Sequence, residues 1–162
     1  MTRATLYTDG GARGNPGPAG IGFVVVSETG EEQAAAGRYI GEATNNVAEY
    51  EALLAGLRAA RSLGVDQLVV RADSELVVKQ LRGEYRVKHP NLKPLFAAAQ
   101  ALVRGFREVR FEHVRRADNA RADGLANEAM DCRGDVGPSA DEGERPAGAQ
   151  QSLWEVSSDV RT

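Results

Sequence analysis

Hydrophobic and polar positions form short runs over the first forty residues. The segments 4–9 and 20–26 are rich in β-branched and aromatic residues, and a stretch rich in Gly and Pro separates them. A turn at 27–30 leads into a third run at about 32–40. Short runs bounded by turn residues are typical of β-strands, so the sequence predicts an antiparallel meander of three strands.

The spacing then changes to that of helices alternating with strands. Asn46 is a suitable N-cap, with Glu49 three residues later, and an apolar stripe at helical spacing continues to Gly64. The remaining predicted elements are strands at 67–73 and 108–114 and helices at 74–81, from Pro90 to about Arg104, and from Asp118 or Asn119 to about Cys132. The resulting order, βββαβααβα, predicts an α/β fold with a five-stranded mixed sheet flanked by helices.

Four acidic residues fall at positions that this order brings to one edge of the sheet. Asp9 closes the first predicted strand and Asp73 closes the fourth. If strands one, four and five are parallel, both lie at the carboxyl edge, where the following helices begin. Glu49 and Asp123 are predicted in the first turns of two of those helices. We therefore expect the four carboxylates to converge.

Each helical acid alone has a simpler interpretation. Glu49 could complete a capping box, and Asp123 could complement a helix dipole. Four neighbouring carboxylates are different, because each pair about 4 Å apart repels by roughly 1 kcal/mol in water and about 4 kcal/mol at an effective dielectric of 20. Such a cluster stabilises a fold only when cations neutralise it.

The donor set indicates which cation. Oxygen ligands without paired histidines or cysteines favour Mg²⁺ or Mn²⁺ over Zn²⁺. Two such ions about 4 Å apart hydrolyse phosphodiesters, since one activates a water and the other stabilises the leaving oxygen. The sequence therefore predicts a metal-dependent phosphoryl hydrolase.

Four segments resemble, in order, the motifs of the type 1 ribonuclease H family: YTDGGARGNPGPAGIGFVV, TNNVAEYEALLAGL, ADSELVVKQL and RADNARADGLANEAM. The resemblance covers residues 4 to about 131 and implies the ribonuclease H-like fold. It implies endonucleolytic cleavage of the RNA strand of RNA–DNA hybrids, leaving 5′-phosphate and 3′-hydroxyl ends, with two Mg²⁺ ions or alternatively Mn²⁺. By the same resemblance, Asp9 bridges both ions, Glu49 and Asp73 hold the leaving-group ion, and Asp123 holds the ion that carries the water.

The resemblance also assigns substrate contacts. Asn15, Asn45 and Asn46 match residues that line the minor groove and sense 2′-hydroxyl groups, which suits recognition of a hybrid by its shape. Thr44 matches a residue that binds a phosphate of the DNA strand. Without the resemblance, Asn15 is an ordinary turn residue and Asn46 a plain helix cap.

The loop before the last helix departs from the longer family members. Arg116, seven residues before Asp123, resembles the arginine that short-loop members carry there, and Arg115 remains an alternative. His113 lies on the fifth predicted strand beside Phe111, so we expect it to be a structural rather than a catalytic residue.

The chain also lacks the basic, Trp-containing handle of longer members. In its place, basic side chains surround Tyr85: Lys79, Arg82, Arg86, Lys88, His89 and Lys93. We expect Tyr85 and Lys88 to contact the DNA strand, because phosphate contacts supply affinity without sequence preference. The alternative is a solvated helix face.

The net charge of the protein does not argue against a nucleic-acid partner once its distribution along the chain is considered. The net charge of −3 comes from residues 133–162, which hold three arginines against six acids, so residues 1–132 are neutral. The acidic total therefore does not exclude a nucleic-acid partner. A single cysteine, Cys132, excludes an internal disulfide, and Asp9 and Arg13 among N-terminal glycines argue against a signal peptide. We expect a cytoplasmic monomer without membrane contact.

The composition divides the 162 residues into a ribonuclease H domain at 1–132 and a disordered acidic tail at 133–162. Within the tail, the segment from Gln150 to Trp154 resembles the pentapeptide by which bacterial replication proteins bind the sliding clamp, although a chance apolar pair is the alternative. Two other functions stay open: a catalytically silent hybrid-binding module and another two-metal nuclease. The four retained acids argue against the first, and the hybrid-reading segments against the second.

Overall fold

Five strands and four helices make up the part of the chain that the structure describes, residues 2–139 of a computed structural model. The elements are β1 (Arg3–Ala12), β2 (Gly17–Ser27), β3 (Glu32–Ala43), α1 (Asn45–Ser62), β4 (Gln67–Ala72), α2 (Glu75–Leu81), α3 (Lys93–Val103), β5 (Glu108–His113), a 3₁₀ turn (Arg116–Asn119) and α4 (Ala120–Cys132). This order confirms the predicted βββαβααβα arrangement.

The strands form one mixed sheet in the order β3-β2-β1-β4-β5. β2 runs antiparallel to β1 and β3, whereas β1, β4 and β5 are mutually parallel, as predicted. The pairing of β1 with β4 ends at Thr8 and Ala72, so the next residues, Asp9 and Asp73, lie side by side. Asp9 does not close β1, because the strand stays paired with β2 as far as Ala12.

The two faces of the sheet are packed differently. On the first face, α1 and α3 cover a large apolar core that includes Leu6, Phe23, Leu53 and Leu57. On the second face, α4 covers a small cluster of buried residues: Val24, Ala35, Ala122 and Leu125. α1 and α4 therefore bury their apolar faces against opposite faces of the sheet, and α3 packs against α1, which is the layered arrangement of an α/β protein.

Three glycines form a platform beneath α4: Gly20, Gly22 and Gly37. A Cβ atom added at Gly22 would lie 2.2 Å from the carbonyl oxygen of Ala122, and one at Gly37 would lie 2.2 Å from that of Leu125. Only glycine permits so close an approach of helix backbone to strand backbone. The height of α4 above the sheet is therefore fixed by backbone contact.

Two predicted helix starts are wrong by two or three residues. The N-cap of α1 is Thr44 rather than Asn46, because the hydroxyl of Thr44 accepts a hydrogen bond from the Val47 N–H at 3.2 Å. α3 begins at Lys93 rather than Pro90, with a proline in its first turn, where a missing N–H leaves no intrahelical bond unmade.

The chain beyond α4 continues along the outer edge of β3. Val136 exchanges two backbone hydrogen bonds of 2.9 Å with Gly37. Ser139 donates its N–H to the Ala35 carbonyl at 2.9 Å, and its hydroxyl accepts from the Ala35 N–H at 3.1 Å. Residues beyond the boundary predicted at Cys132, as far as Ser139, therefore satisfy backbone groups that an edge strand leaves unpaired.

The rest of the predicted tail, including the segment from Gln150 to Trp154, lies outside the described residues. Between residues 2 and 139, no helix is both long enough and apolar enough to cross a membrane.

Candidate active site

The carboxyl ends of β1 and β4 bring two buried acids together. Asp9 and Asp73 follow paired residues of neighbouring parallel strands, so their side chains share one face of the sheet. Asp9 is 7% exposed, and the side chain of Asp73 is 9% exposed. Acidic residues are rarely this buried unless they are paired or bind a cation.

Glu49 reaches the same point from α1. A Cβ atom at Gly10 would lie 2.2 Å from the Ala48 carbonyl oxygen, so the absence of a side chain at Gly10 lets α1 approach β1 closely. The Gly10 N–H then donates to Glu49 Oε1 at 3.2 Å. Glu49 is the fifth residue of α1 rather than part of its first turn, because the helix begins earlier than predicted.

Asp123 completes the cluster from the other face of the sheet. It lies in the first turn of α4, as predicted, and its carboxyl group lies close enough to raise the pKa of Asp9. Carboxylate oxygens of Asp9, Glu49 and Asp73 all lie within 4.8 Å of one another. The structure thus brings together the four acids that the predicted topology places at this edge.

Burial and mutual repulsion make the cluster hold protons. Burial, followed by repulsion from Glu49, Asp73 and Asp123, raises the pKa of Asp9 to about 9. Burial, followed by the charge of Asp73, raises the pKa of Glu49 to about 8, although the Gly10 N–H and the charge of Arg116 oppose this shift.

The residues of the cluster fit a divalent cation. Asp73 Oδ2 is buried and makes no hydrogen bond, although the charged Arg116 Nε lies 3.8 Å away. A buried carboxylate oxygen without a hydrogen-bond donor is unusual and is suited to a metal ligand. The donors are all carboxylates, which are ligands that Mg²⁺ and Mn²⁺ prefer.

The two candidate arginines of the short loop point in different directions. Arg116, in the 3₁₀ turn, directs its largely exposed guanidinium toward Asp73. Arg115 instead pairs with Asp118, at 3.5 Å between Nε and Oδ2. The geometry therefore favours Arg116 as the residue beside the acids.

The buried structural role expected for His113 is wrong. His113 is exposed. It is the last residue of β5, which is an edge strand, and the core that half-buries Phe111 does not extend as far as His113.

Two of the predicted substrate residues, Asn15 and Asn45, join the β1–β2 turn to the start of α1. Asn15 Oδ1 accepts from the Asn45 N–H at 3.0 Å, and Asn45 Oδ1 accepts from the Ala12 N–H at 2.8 Å. Thr44 caps the helix, whereas Asn46 is exposed beside it. The turn and the helix start therefore form one surface next to the acidic cluster.

Tyr85 and Lys88, with the basic side chains around them, lie in the connection that follows α2. Tyr85 is half exposed, and Lys79 Nζ lies 5.0 Å from the centre of its ring. Lys88 is exposed in the same connection between α2 and α3.

Comparisons with known proteins show the family of the chain. A family model described as reverse transcriptase-like matches residues 7–129. Ribonuclease HI of Halobacterium salinarum is 50% identical over 129 residues, which are 80% of this chain and 65% of that protein. The chain belongs to the type 1 ribonuclease H family. A bifunctional protein of Mycobacterium tuberculosis is 50% identical over 131 residues, and this chain spans 36% of its length.

Solved structures of ribonuclease H proteins confirm the predicted fold. The N-terminal ribonuclease H domain of the mycobacterial protein superposes with a TM-score of 0.80 at 49% identity, over 82% of this chain and 96% of that chain. The LC11 ribonuclease H1, solved in complex with an RNA/DNA hybrid, gives a TM-score of 0.77 at 49% identity, over 80% of this chain and 98% of that chain.

Sequence reasoning missed the part played by Asn119. It was predicted as a cap of the last helix, but its side chain makes no capping hydrogen bond. Instead Asn119 Nδ2 donates to the carbonyl of Thr8 at 2.8 Å. The two residues are 111 positions apart, so no local spacing could reveal the contact.

Proposed function

We propose that this protein is a metal-dependent endonuclease that hydrolyses the RNA strand of RNA–DNA hybrids, leaving 5′-phosphate and 3′-hydroxyl ends. The observation that carries the proposal is the cluster of one buried acid, Asp9, and three partly buried acids, Glu49, Asp73 and Asp123, at one edge of a ribonuclease H fold. A relative of 49% identity was solved with an RNA/DNA hybrid, which supports the choice of substrate.

The four carboxylates would hold two Mg²⁺ ions, with Mn²⁺ as the alternative. When bound, the ions would supply the positive charge that activates a water molecule and stabilises the leaving oxygen. Asp9 interacts electrostatically with all three other acids, which supports its role as the ligand shared by both ions. Glu49 and Asp73 would serve one ion, and Asp123 would serve the other.

Arg116 would act on the substrate beside the cluster. The side chain of Arg116 is 82% exposed and its guanidinium lies near Asp73, so it is accessible to a phosphate group. Guanidinium groups bind phosphate oxygens with paired hydrogen bonds, and Arg116 would thereby orient the phosphate to be cleaved.

The surface formed by the β1–β2 turn and the start of α1 would recognise the hybrid. Asn15, Asn45 and Asn46 offer amide groups that can accept from and donate to 2′-hydroxyls, and Thr44 would bind a DNA-strand phosphate. Tyr85 and Lys88, both exposed after α2, would contact the DNA strand further along.

A cleavage assay on matched duplexes tests the proposal. The full-length protein is incubated with an RNA–DNA hybrid, an RNA duplex and a DNA duplex of one sequence, with Mg²⁺, Mn²⁺ or a chelator. We expect cleavage of the RNA strand of the hybrid alone, lost with the chelator and reduced by several orders of magnitude in Asp9→Asn and Asp73→Asn. Hybrid binding without cleavage would indicate a silent binding module, and equal cleavage of the DNA duplex a different nuclease.

The proposal extends to the setting of the protein. We propose a cytoplasmic monomer that is tethered to the bacterial sliding clamp by the segment from Gln150 to Trp154. Tethering would raise its concentration near replication forks, where primer hybrids occur. A peptide of residues 146–158 should bind the clamp in the micromolar range and lose binding with Leu153→Ala plus Trp154→Ala. Absence of clamp binding by the full-length protein at high micromolar concentration would end this part of the proposal alone.

A further inference from the structure

A buried asparagine connects the strand that carries Asp9 to the helix that carries Asp123. Asn119 is 1% exposed, and its Nδ2 donates to the carbonyl oxygen of Thr8 at 2.8 Å. Thr8 directly precedes Asp9 in β1, and Asn119 directly precedes α4, four residues before Asp123. One hydrogen bond thus joins the backbone beside the first acid to the start of the helix that carries the second.

The side chain of Asn119 is directed away from its own helix. An asparagine at an N-cap commonly accepts a hydrogen bond from the second or third N–H of the helix, but Asn119 accepts none. Its Oδ1 atom is buried without a hydrogen-bond partner. A simple capping role would have satisfied that oxygen, so the placement is better explained by the bond that Nδ2 makes to β1.

The cluster needs such a connection. Asp9 and Asp123 come from different elements and lie close enough to interact electrostatically, and as anions they would repel. The glycine platform sets the height of α4 above β2 and β3, but its residues have no side chain that could hold the helix start to β1. The amide of Asn119 provides that contact without adding a charge to the cluster.

We infer that Asn119 is a positioning residue, which holds Asp123 at cation-binding distance from Asp9 by tying the start of α4 to the backbone of β1. The inference rests on the proposed function, because it assumes that these two acids share a cation site. Asn119 acts through the Thr8 carbonyl and needs no contact with substrate.

Titration of Mn²⁺ into the substrate-free, full-length protein by calorimetry tests this role. Asn119→Leu keeps the branched shape but removes the donor, and Asn119→Ala removes the side chain. The matched control is Ser139→Ala, which removes another buried hydrogen bond, to the Ala35 N–H beside β3, outside the acidic cluster. Urea unfolding of each variant reports the accompanying loss of stability.

We expect both Asn119 variants to bind Mn²⁺ about tenfold more weakly than the wild type, at the lower end of the range for residues that orient metal ligands. Ser139→Ala should lose stability but keep the wild-type affinity for Mn²⁺. A folded Asn119→Leu protein with wild-type affinity would overturn the role, and so would equal weakening in Ser139→Ala. If the wild type itself bound no Mn²⁺, the proposed function would fail first and the role of Asn119 with it.

Discussion

At the scale of single residues, Asp9 is where burial and charge have their largest effect. Its carboxyl group is shielded from water and surrounded by three other acids, and its pKa rises from 3.8 to about 9. The folded protein without cations therefore keeps a proton that the unfolded chain has already lost at neutral pH. Protonation and folding are linked through this residue.

The linkage predicts a pH-dependent gain in stability for Asp9→Asn. The stabilising contribution of the raised pKa is fully present below about pH 4 and is lost as pH rises toward 9. In chelator, Asp9→Asn should therefore be more stable than the wild type at pH 8, by at least about 1 kcal/mol, with a smaller difference at pH 5. Urea unfolding at both pH values measures this. Glu31→Gln, at an exposed turn, is the control and should show no such trend. A wild type that gains stability relative to Asp9→Asn between pH 5 and pH 8 would contradict the linkage.

The placement of Arg116 predicts a kinetic effect. Arg116→Ala should lower kcat for hybrid cleavage about tenfold to a hundredfold while changing KM less, because its charge lies beside the acids rather than along the hybrid surface. Arg115→Ala is the matched control, since that side chain pairs with Asp118. Steady-state kinetics of both variants checks this. A loss of kcat in Arg115→Ala rather than in Arg116→Ala would assign the role to Arg115.

His113→Ala should change neither stability nor kcat appreciably, because the side chain is exposed. Loss of turnover in this variant, with the fold intact, would show that the histidine rather than Arg116 acts on the substrate.

Single residues differ in how well the sequence predicts them. The four acids could be identified because the order of the elements places them at one edge, although Asp9 lies within β1 and Glu49 follows the first turn of α1. The exposure of His113 was misjudged because the alternation of apolar and polar residues shows on which face of the sheet a side chain lies. It does not show where the core that covers that face ends. Asn119 was missed because its partner lies in β1, at the far end of the chain.

At the scale of elements, the glycine platform sets the position of α4. Gly22→Ala would drive a methyl group into the Ala122 carbonyl and should destabilise the protein by about 2–3 kcal/mol, with loss of hybrid cleavage as α4 shifts. Gly124→Ala is the contrasting variant, because nothing lies within 4 Å of a Cβ there and the position is helical. It should stabilise the protein by up to about 1 kcal/mol. Urea unfolding distinguishes the two, and a fully stable Gly22→Ala would rule out the close approach.

The order of elements was predictable, but several of their ends were not. Periodicity reports burial within a segment, so it located all five strands and four helices. The start of α1 depends on whether Thr44 or Asn46 takes up the extended conformation of a cap, and both residue types are suitable. Local sequence therefore left the choice open.

At the scale of the whole molecule, the folded unit extends past its last helix. A chain ending at Ser139 should keep the stability and the hybrid cleavage of the full-length protein. A chain ending at Cys132 loses the four hydrogen bonds that residues 136 and 139 make to β3 and should be less stable by about 2–4 kcal/mol. It should also self-associate, because the edge of β3 is then open. Urea unfolding and light scattering compare the two truncated chains. Equal stability and equal association state would show that residues 133–139 do not stabilise the sheet.

This extension could not be predicted from composition. Residues 133–139 share the Gly, Pro and acidic content of the tail that follows, so they read as part of it. What fixes them is the unpaired edge of β3, which exists only once the sheet has formed.

The two faces of the sheet differ in how freely their sequences can be redesigned. Beneath α1, apart from the close approach at Gly10, side chains interlock, so one apolar residue can be replaced by another of similar volume with modest cost. Beneath α4, backbone meets backbone, and the nearest neighbours of a larger residue at Gly22 would be backbone atoms of Ala122 and Ala126, which cannot shrink to make room. Engineering for heat resistance should therefore alter the α1 side and leave the α4 side untouched, since any change in helix height there also moves Asp123.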